Sequence, residues 1–597
     1  MLENLKQLYA KYLQLNNDNA ISVAVQDYLA NKPSLLASAS YGDFFNEIAK
    51  RAEAELENDV QLKEDIKNVT SKEDLKTLLF KENGLSIDEE TVQKVRELRH
   101  VEITENANVL SDPLREILFT SNVMLTLPKD KNNIAEKYTS KIDFNEEQSF
   151  WFDHPIPLDI KEESNEILYG LKNLNASVAP ELKGDYRVKV ALSVSCTHKS
   201  LKNIAKDYLL EKLESVTLDH LEIYIFTENE CEELIDMLYA DKKGTPLYES
   251  IKHTIGVDGK YGRHYSFLKA IGAFFGTYVD TNIKATYKID LDQVFDQDRT
   301  KAYTGGYALE KLVNNKLGAY AVDRHGNKVK LGMVAGYLIN DVDIDKSMYE
   351  PDVAMPSDDF NTEQYIFNSG RPQYISSVAE MLGKEQSDKE ATTRYHITGG
   401  MNGVLVEDLI TFKPFTPSFI TRAEDQAFML SIVNKEVDGT YLRCYHQHGF
   451  FMRHDKGTFL AEDLKHFEVP KKVGDYERIL LFSHYAKDIL GSYDKIKDEI
   501  QPFTASFVTN HPYTTILFRA IFAAYELANK NLNDGYIFLD SITSRLPEIM
   551  ANIDNGTYKE QFDKEKMAWD HYYGSLKEVK LDGEVVNNFI NKINYKK

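Results

Sequence analysis

Between residues 186 and 292 the chain alternates between two kinds of segment, and this alternation limits the fold more than any other feature. DYRVKVALSVSC is rich in β-branched and apolar residues, and KSLKNIAKDYLLEKL carries apolar side chains at helical spacing. LEIYIFT then predicts a second strand and ECEELIDMLY a second helix. HYSFLKAIGAFFGTYV predicts another helix, leading into ATYKIDLD, a strand that ends in Asp290-Leu291-Asp292. Strand and helix in turn are the pattern of a parallel sheet covered on both faces, so the expected class is α/β. Open sheets of this kind bind ligands at the carboxyl ends of their strands, which is where Asp290 and Asp292 fall.

The flanks read differently. Residues 1–150 are rich in Glu, Lys and Leu; SYGDFFNEIAKRAEAELEND places Phe44, Phe45, Ile48 and Ala49 on one stripe. DPLREILFTSNVMLTL, a further apolar run, is grouped with these helical segments. WFDHPIPLDI, with two prolines, reads as a connector. From about residue 470 the helical period returns in YERILLFSHYAKDIL, TTILFRAIFAAYELANK, DSITSRLPEIMANI and KEKMAWDHYYGSLKEV. The expected organisation is a helical domain over 1–150, a sheet domain over 151–465 and a helical domain over 466–597. At 597 residues the chain is too long for one core.

Charge and cysteine content narrow the function classes. With 71 basic and 94 acidic residues the net charge is −23, the opposite of the basic footprint that nucleic-acid binding requires. Three scattered cysteines, Cys196, Cys231 and Cys444, imply no disulfide framework. The N-terminus lacks the apolar core of a signal peptide, and no apolar stretch is long enough to span a bilayer, so a cytoplasmic location is expected. YTGGYALEKL, residues 303–312, lacks the lysine and spacing of a phosphate-binding P-loop.

Two carboxylates one residue apart at a strand end can converge on one cation where the chain turns. Oxygen ligands favour Mg²⁺ or Mn²⁺, and such an ion would neutralise a diphosphate. An acidic chain also contains Asp-x-Asp by chance, so the surroundings matter. Upstream, KYGRHYSFLKAIGAFFG carries Arg263 and Lys269. Downstream, FITRAEDQAFMLSI opens a helix with Arg422, Glu424 and Asp425, and YLRCYHQHGFFMRHDKG holds His446, His448 and His454. In this motif order, residues 185–460 resemble the nucleotide-sugar-dependent glycosyltransferases of the GT-A fold.

That resemblance implies a GT-A-like, Rossmann-type central sheet domain flanked by mainly helical domains. It implies a divalent metal (Mn²⁺ or Mg²⁺) on Asp290, Asp292 and a histidine, with His448 the first choice and His446 and His454 the alternatives. It places Ser195, Thr197, Glu228, Arg263, Lys269 and Asp290 at the nucleotide-sugar donor. Thr398, Gly399, Gly400 and Arg422 fall on the acceptor side, with Glu424 and Asp425 as the catalytic pair. The chain departs from the family in lacking the Pro-x-Tyr/Phe-Asn turn of many inverting members and the Gln-x-x-Arg-Trp signature of processive synthases. Those departures, with the histidines, lean toward a soluble enzyme that adds one sugar with retention to a small-molecule or glycan acceptor. Self-association through the helical flanks is compatible with the pattern. Two other readings use the same residues: a haloacid-dehalogenase-like phosphatase with Asp290 as nucleophile, and a non-catalytic helical interaction protein.

Overall fold

A computed structural model describes residues 3–15, 36, 39–128, 130–146, 148, 155–255, 280, 282–344, 353, 355–356, 370–381, 387–397, 400–420, 422–455, 468–503, 507–578 and 582–595. They divide into two compact units, each discontinuous in sequence. One comprises residues 1–95, 353–379 and 463–559, and the other 96–352, 380–462 and 560–597.

Among the described residues the first unit contains helices and no strand. Its central element is the Pro512–Lys530 helix, in which every residue from Thr514 to Ala524 is buried. A helix apolar almost all round belongs inside a bundle, and this one packs on the Ala39–Asn58 and Leu532–Asp554 helices. Pro512 opens it, and Glu55 completes its first turn. The Glu55 carboxylate accepts the backbone N–H of Tyr513 at 2.9 Å and of Thr514 at 2.8 Å, and the Thr514 hydroxyl at 2.8 Å. Those amides have no partner within their own helix. Burial pushes Glu55 up to about 7, against the downward pull of these hydrogen bonds.

The second unit is built on one sheet. Its main strands are β1 (His100–Glu105), β2 (Ile117–Thr126), β3 (Val188–Cys196), β4 (Leu221–Phe226), β5 (Ala285–Lys288), β6 (Tyr320–Val322), β7 (Lys328–Asn340), β8 (Glu390–Arg394), β9 (Asn402–Leu405) and β10 (Thr440–His454). The spatial order is β10-β8-β1-β6-β7-β9-β5-β2-β3-β4. Strands β5, β2, β3 and β4 are mutually parallel. β9 pairs antiparallel with both β5 and β7.

β7 also pairs in parallel with β10, from Tyr441↔Val329 to His454↔Asn340, which closes β10, β8, β1, β6 and β7 into a five-stranded barrel. An open Rossmann-type sheet, expected from the sequence, therefore does not describe this end of the sheet. Thirteen and fifteen residues long, β7 and β10 are long enough for strand twist to bring them together while each holds other partners.

Two further differences concern the chain's first third. DPLREILFTSNVMLTL, grouped with helical segments from its sequence, contains β2, with all ten residues buried at the centre of the parallel strands. A strand buried on both faces shows no alternation, so its period cannot be told from that of a buried helix. The helical block expected over 1–150 gives way to sheet at His100, and the parallel strands start with β2 rather than with the segment at 188.

Where β1 begins, Arg99 is locked to Glu380. Their side chains have no exposure, Arg99 Nε lies 2.8 Å from Glu380 Oε1, and Glu380 Oε2 accepts the backbone N–H groups of Tyr395 (3.0 Å) and His396 (2.9 Å). Glu380→Ala would strand a buried guanidinium and two amides, so urea denaturation should show a loss of about 3–5 kcal/mol. Glu55 gives a second expectation. Its folded value lies above its ordinary 4.5, so the stability it contributes is complete below pH 4.5 and fades as pH rises to about 7. Glu55→Gln should flatten the pH dependence of helical-unit unfolding across that window; an unchanged slope would refute the assignment.

Candidate functional site

Because β2, β3, β4 and β5 run parallel, their carboxyl ends share one sheet edge. Ser195 and Thr197 lie at the end of β3, Glu228 opens the Glu228–Leu238 helix after β4, and Asp290 and Asp292 follow β5. Ser195, Thr197 and Glu228 are all buried. The Thr197 hydroxyl donates to Thr126 Oγ1 at 2.8 Å, and its backbone N–H to Leu125 O at 3.0 Å, tying the ends of β3 and β2 together.

The Asp-Leu-Asp segment is held on several sides. Ile289 donates its N–H to Thr120 O on β2 at 2.9 Å, extending the pairing of β5 by one residue. Leu291 is buried, and it presses on Gly170 of the Glu166–Val178 helix: a Cβ on Gly170 would stand 2.6 Å from Leu291 O and 2.7 Å from its Cα. Asp290 Oδ1 is 2.5 Å from Lys288 Nζ, a lysine whose side chain has no exposure. Gln293 Nε2 donates to Asp290 Oδ2 at 3.2 Å. Asp292 Oδ2 lies 2.8 Å from His454 Nε2 at the end of β10, and the Asp455 N–H donates to Asp292 O at 2.9 Å.

The described segments 394–397 and 400–402 touch this loop and the Glu424–Val433 helix. Met401 donates its N–H to Lys288 O at 2.9 Å. Gly400 sits against Gln293 so closely that a Cβ there would meet the Gln293 amide at 2.2 Å. Ile397 O accepts Gln426 Nε2 at 2.7 Å. Ala423, at a φ of 58°, caps the helix. Within the acidic pair Glu424 is buried and Asp425 half-buried. Arg422, also half-buried, precedes them.

All three candidate histidines lie on β10. His454, the alternative, is the one that meets Asp292. His448, the first choice, has Nδ1 3.1 Å from the Tyr337 hydroxyl, in the stretch between His446 and Phe451 where β10 breaks register with β7. His446 packs edge-on to Tyr337, with ring centroids 4.4 Å apart. Burial, reinforced by the Arg394 charge, holds His446 well below the ordinary histidine range. Asp290 pairs with Lys288. Arg263, Lys269, Thr398 and Gly399 lie outside the described residues.

Asp292 and His454 thus offer one carboxylate and one imidazole at a single point. Among the described residues no group of three or more His, Cys, Asp or Glu side chains is placed to hold a metal ion. Mg²⁺ is commonly held by one or two carboxylates, with substrate phosphates and water completing its shell, so Asp292 is the member of the pair that could hold such an ion, while an imidazole suits a softer metal. Sequence reasoning missed Lys288, Gln293 and Thr126. Lys288 had a readable signal: a lysine interrupts an apolar strand two residues before Asp290, and residues i and i+2 of a strand share a face.

No protein-family model matches the sequence, and no curated protein matches it. Among the described residues no helix is long and apolar enough to cross a membrane.

Gly170 tests the seating of the loop. Alanine in a helix interior is normally favoured over glycine by about 1 kcal/mol. Here the Leu291 backbone blocks the new methyl, so Gly170→Ala should instead destabilise the sheet unit by about 1–3 kcal/mol in chemical denaturation. A stabilised variant would show that the loop is free to move.

Proposed function

We propose that the chain is a metal-dependent glycosyltransferase of GT-A type, passing a sugar from a nucleotide-diphosphate donor to a hydroxyl acceptor. The observation that carries this reading is the position of Asp290 and Asp292. Numbered by their order in the chain, the parallel strands β2, β3, β4 and β5 lie in space as 3-2-1-4. The fourth strand sits beside the first, so the two acids emerge at the switch point where doubly wound sheets bind nucleotides.

The roles follow from the placement. Ser195, Thr197 and Glu228, at the ends of β3 and β4, line the edge where base and ribose would lie. Asp292 and His454 would hold the divalent ion, Mn²⁺ or Mg²⁺, which supplies charge neutralisation for the departing diphosphate. Lys288 and Gln293 fix Asp290 and with it the shape of the loop. On the acceptor side Asp425, more accessible than Glu424, would position the acceptor hydroxyl, and the close approach of Gly400 to Gln293 sets this segment against the loop.

Two substitutions separate these roles. Asp292→Asn should abolish the thermal stabilisation that a nucleoside diphosphate with Mn²⁺ gives the wild type, worth about 2.7 kcal/mol at a hundred times Kd. Asp425→Asn should keep that stabilisation and lower kcat by about 10². A nucleotide shift that survives in Asp292→Asn, with turnover intact, would remove the site from consideration.

A further inference from the structure

Three lysines converge on one carboxylate in the sheet unit. The Thr557–Glu578 helix presents Lys566 and Asp570 one turn apart, with Lys566 Nζ 2.5 Å from Asp570 Oδ2. Lys413, at a φ of 46° where it ends the Val406–Phe412 helix, donates to the Asp570 backbone O at 3.4 Å. The third is Lys435, in the turn between the Glu424–Val433 helix and the strand Glu436–Val437, where its backbone N–H donates to Ile432 O at 3.0 Å.

Lys435 is the member left over. Among the described residues its side chain makes no ion pair and no hydrogen bond, because Asp570 is taken by the other two. It is half-buried, yet solvent reaches its Nζ. The charges acting on it are those of Asp570, Lys566 and Lys413. Its chain neighbour Glu436 is exposed and accepts the Tyr441 hydroxyl at 3.2 Å.

Burial lowers the Lys435 amine to about 8, and Lys566 and Lys413 add to the effect against the pull of Asp570. At pH 8 about half of it is therefore neutral, against about one part in 300 for a lysine at its ordinary 10.5. A neutral lysine amine beside other cations, open to solvent, is a nucleophile.

The neighbours select the electrophile. As an ammonium, Lys435 gives the cluster three positive charges against one negative. An aldehyde would convert it to an imine, which is neutral or cationic and brings the two flanking ammonium groups no partner. Carbon dioxide would convert it to an anion, leaving two charges of each sign in contact.

We propose that Lys435 takes up carbon dioxide as a carbamate, held between Lys413 and Lys566. The lone pair of the neutral amine forms the N–C bond, one C=O π pair moves onto oxygen, and an N–H proton leaves to water. The site stands apart from the sheet edge and does not draw on the transferase reading.

Carbon-13 NMR of the full chain, equilibrated with ¹³C-labelled bicarbonate at about pH 8, reads the carbamate carbon directly. The wild type should show a carbamate resonance that Lys435→Arg lacks; a resonance common to both belongs to another amine. Lys413→Met and Lys566→Met should each weaken the Lys435 signal about threefold or more, since each removes a cation that disfavours the ammonium and holds the anion. Asp570→Asn should strengthen it, by removing the carboxylate that favours the ammonium. None of the four side chains is buried, so these variants keep the fold. Identical spectra from the wild type and Lys435→Arg overturn the proposal. So does a Lys435 signal that neither Lys413→Met nor Lys566→Met weakens, because the cluster then has no part in the uptake.

Discussion

The sheet unit depends on the double pairing of β2. Thr120 stands opposite Ala191 on β3 and opposite Lys288 on β5, so one strand sets the heights of both neighbours. A slip of two residues on either side would keep every side chain on its face but move one strand end by about 6.6 Å relative to the other. Lys288 would then no longer stand level with Ala191, and the Asp-Leu-Asp loop would leave the sheet at a different height relative to the end of β3. The Ile289 to Thr120 hydrogen bond and the Thr197 to Thr126 contact fix that alignment at the edge itself, just where the chain leaves the regular sheet. Ten buried residues in β2 make the slip costly, since none of its faces is solvated.

Much of this was legible in the sequence. The helices between 205 and 238 and most of those after residue 470 follow from periodicity, and the strands at 188, 221 and 285 from short apolar runs set between helical segments. β2 had no such setting: ILFTSNVMLT is buried on both faces, gives no period and follows a helical block. Barrel closure was also hidden. It arises from β7 and β10 pairing across more than a hundred residues of chain, and nothing local in KVKLGMVAGYLIN or TYLRCYHQHGFFMRH specifies the other as its partner.

The candidate site divides along the same line. Asp-x-Asp and Glu-Asp could be found because each is contiguous and each terminates or opens an element. Which histidine would face Asp292 depended on the register of β10 against β7 and against the two-residue strand Gln293–Val294, whose Gln293 pairs with His454 itself. Three histidines within nine residues look equivalent on paper. Once the strand breaks register between His446 and Phe451, only the last of them lies at the height of the Asp-x-Asp loop.

The two aspartates are not equivalent, and the difference bears on how a chain of net charge −23 could receive a diphosphate. Screening limits the reach of the distant acidic helices, because the Debye length in physiological salt is about 8 Å. What matters is the charge within the edge itself. Asp290 is matched by the Lys288 ammonium, and opposite charges 4 Å apart at an effective dielectric of 20 attract by about 4 kcal/mol. Freeing Asp290 would take an ion-pair partner from Lys288, whose side chain has no exposure, so this carboxylate is tied into the loop. Asp292 Oδ2 lies 2.8 Å from His454 Nε2, and no lysine or arginine pairs with it among the described residues. Of the pair, Asp290 therefore supports the loop through a buried lysine, while Asp292 is joined to the end of β10 through His454.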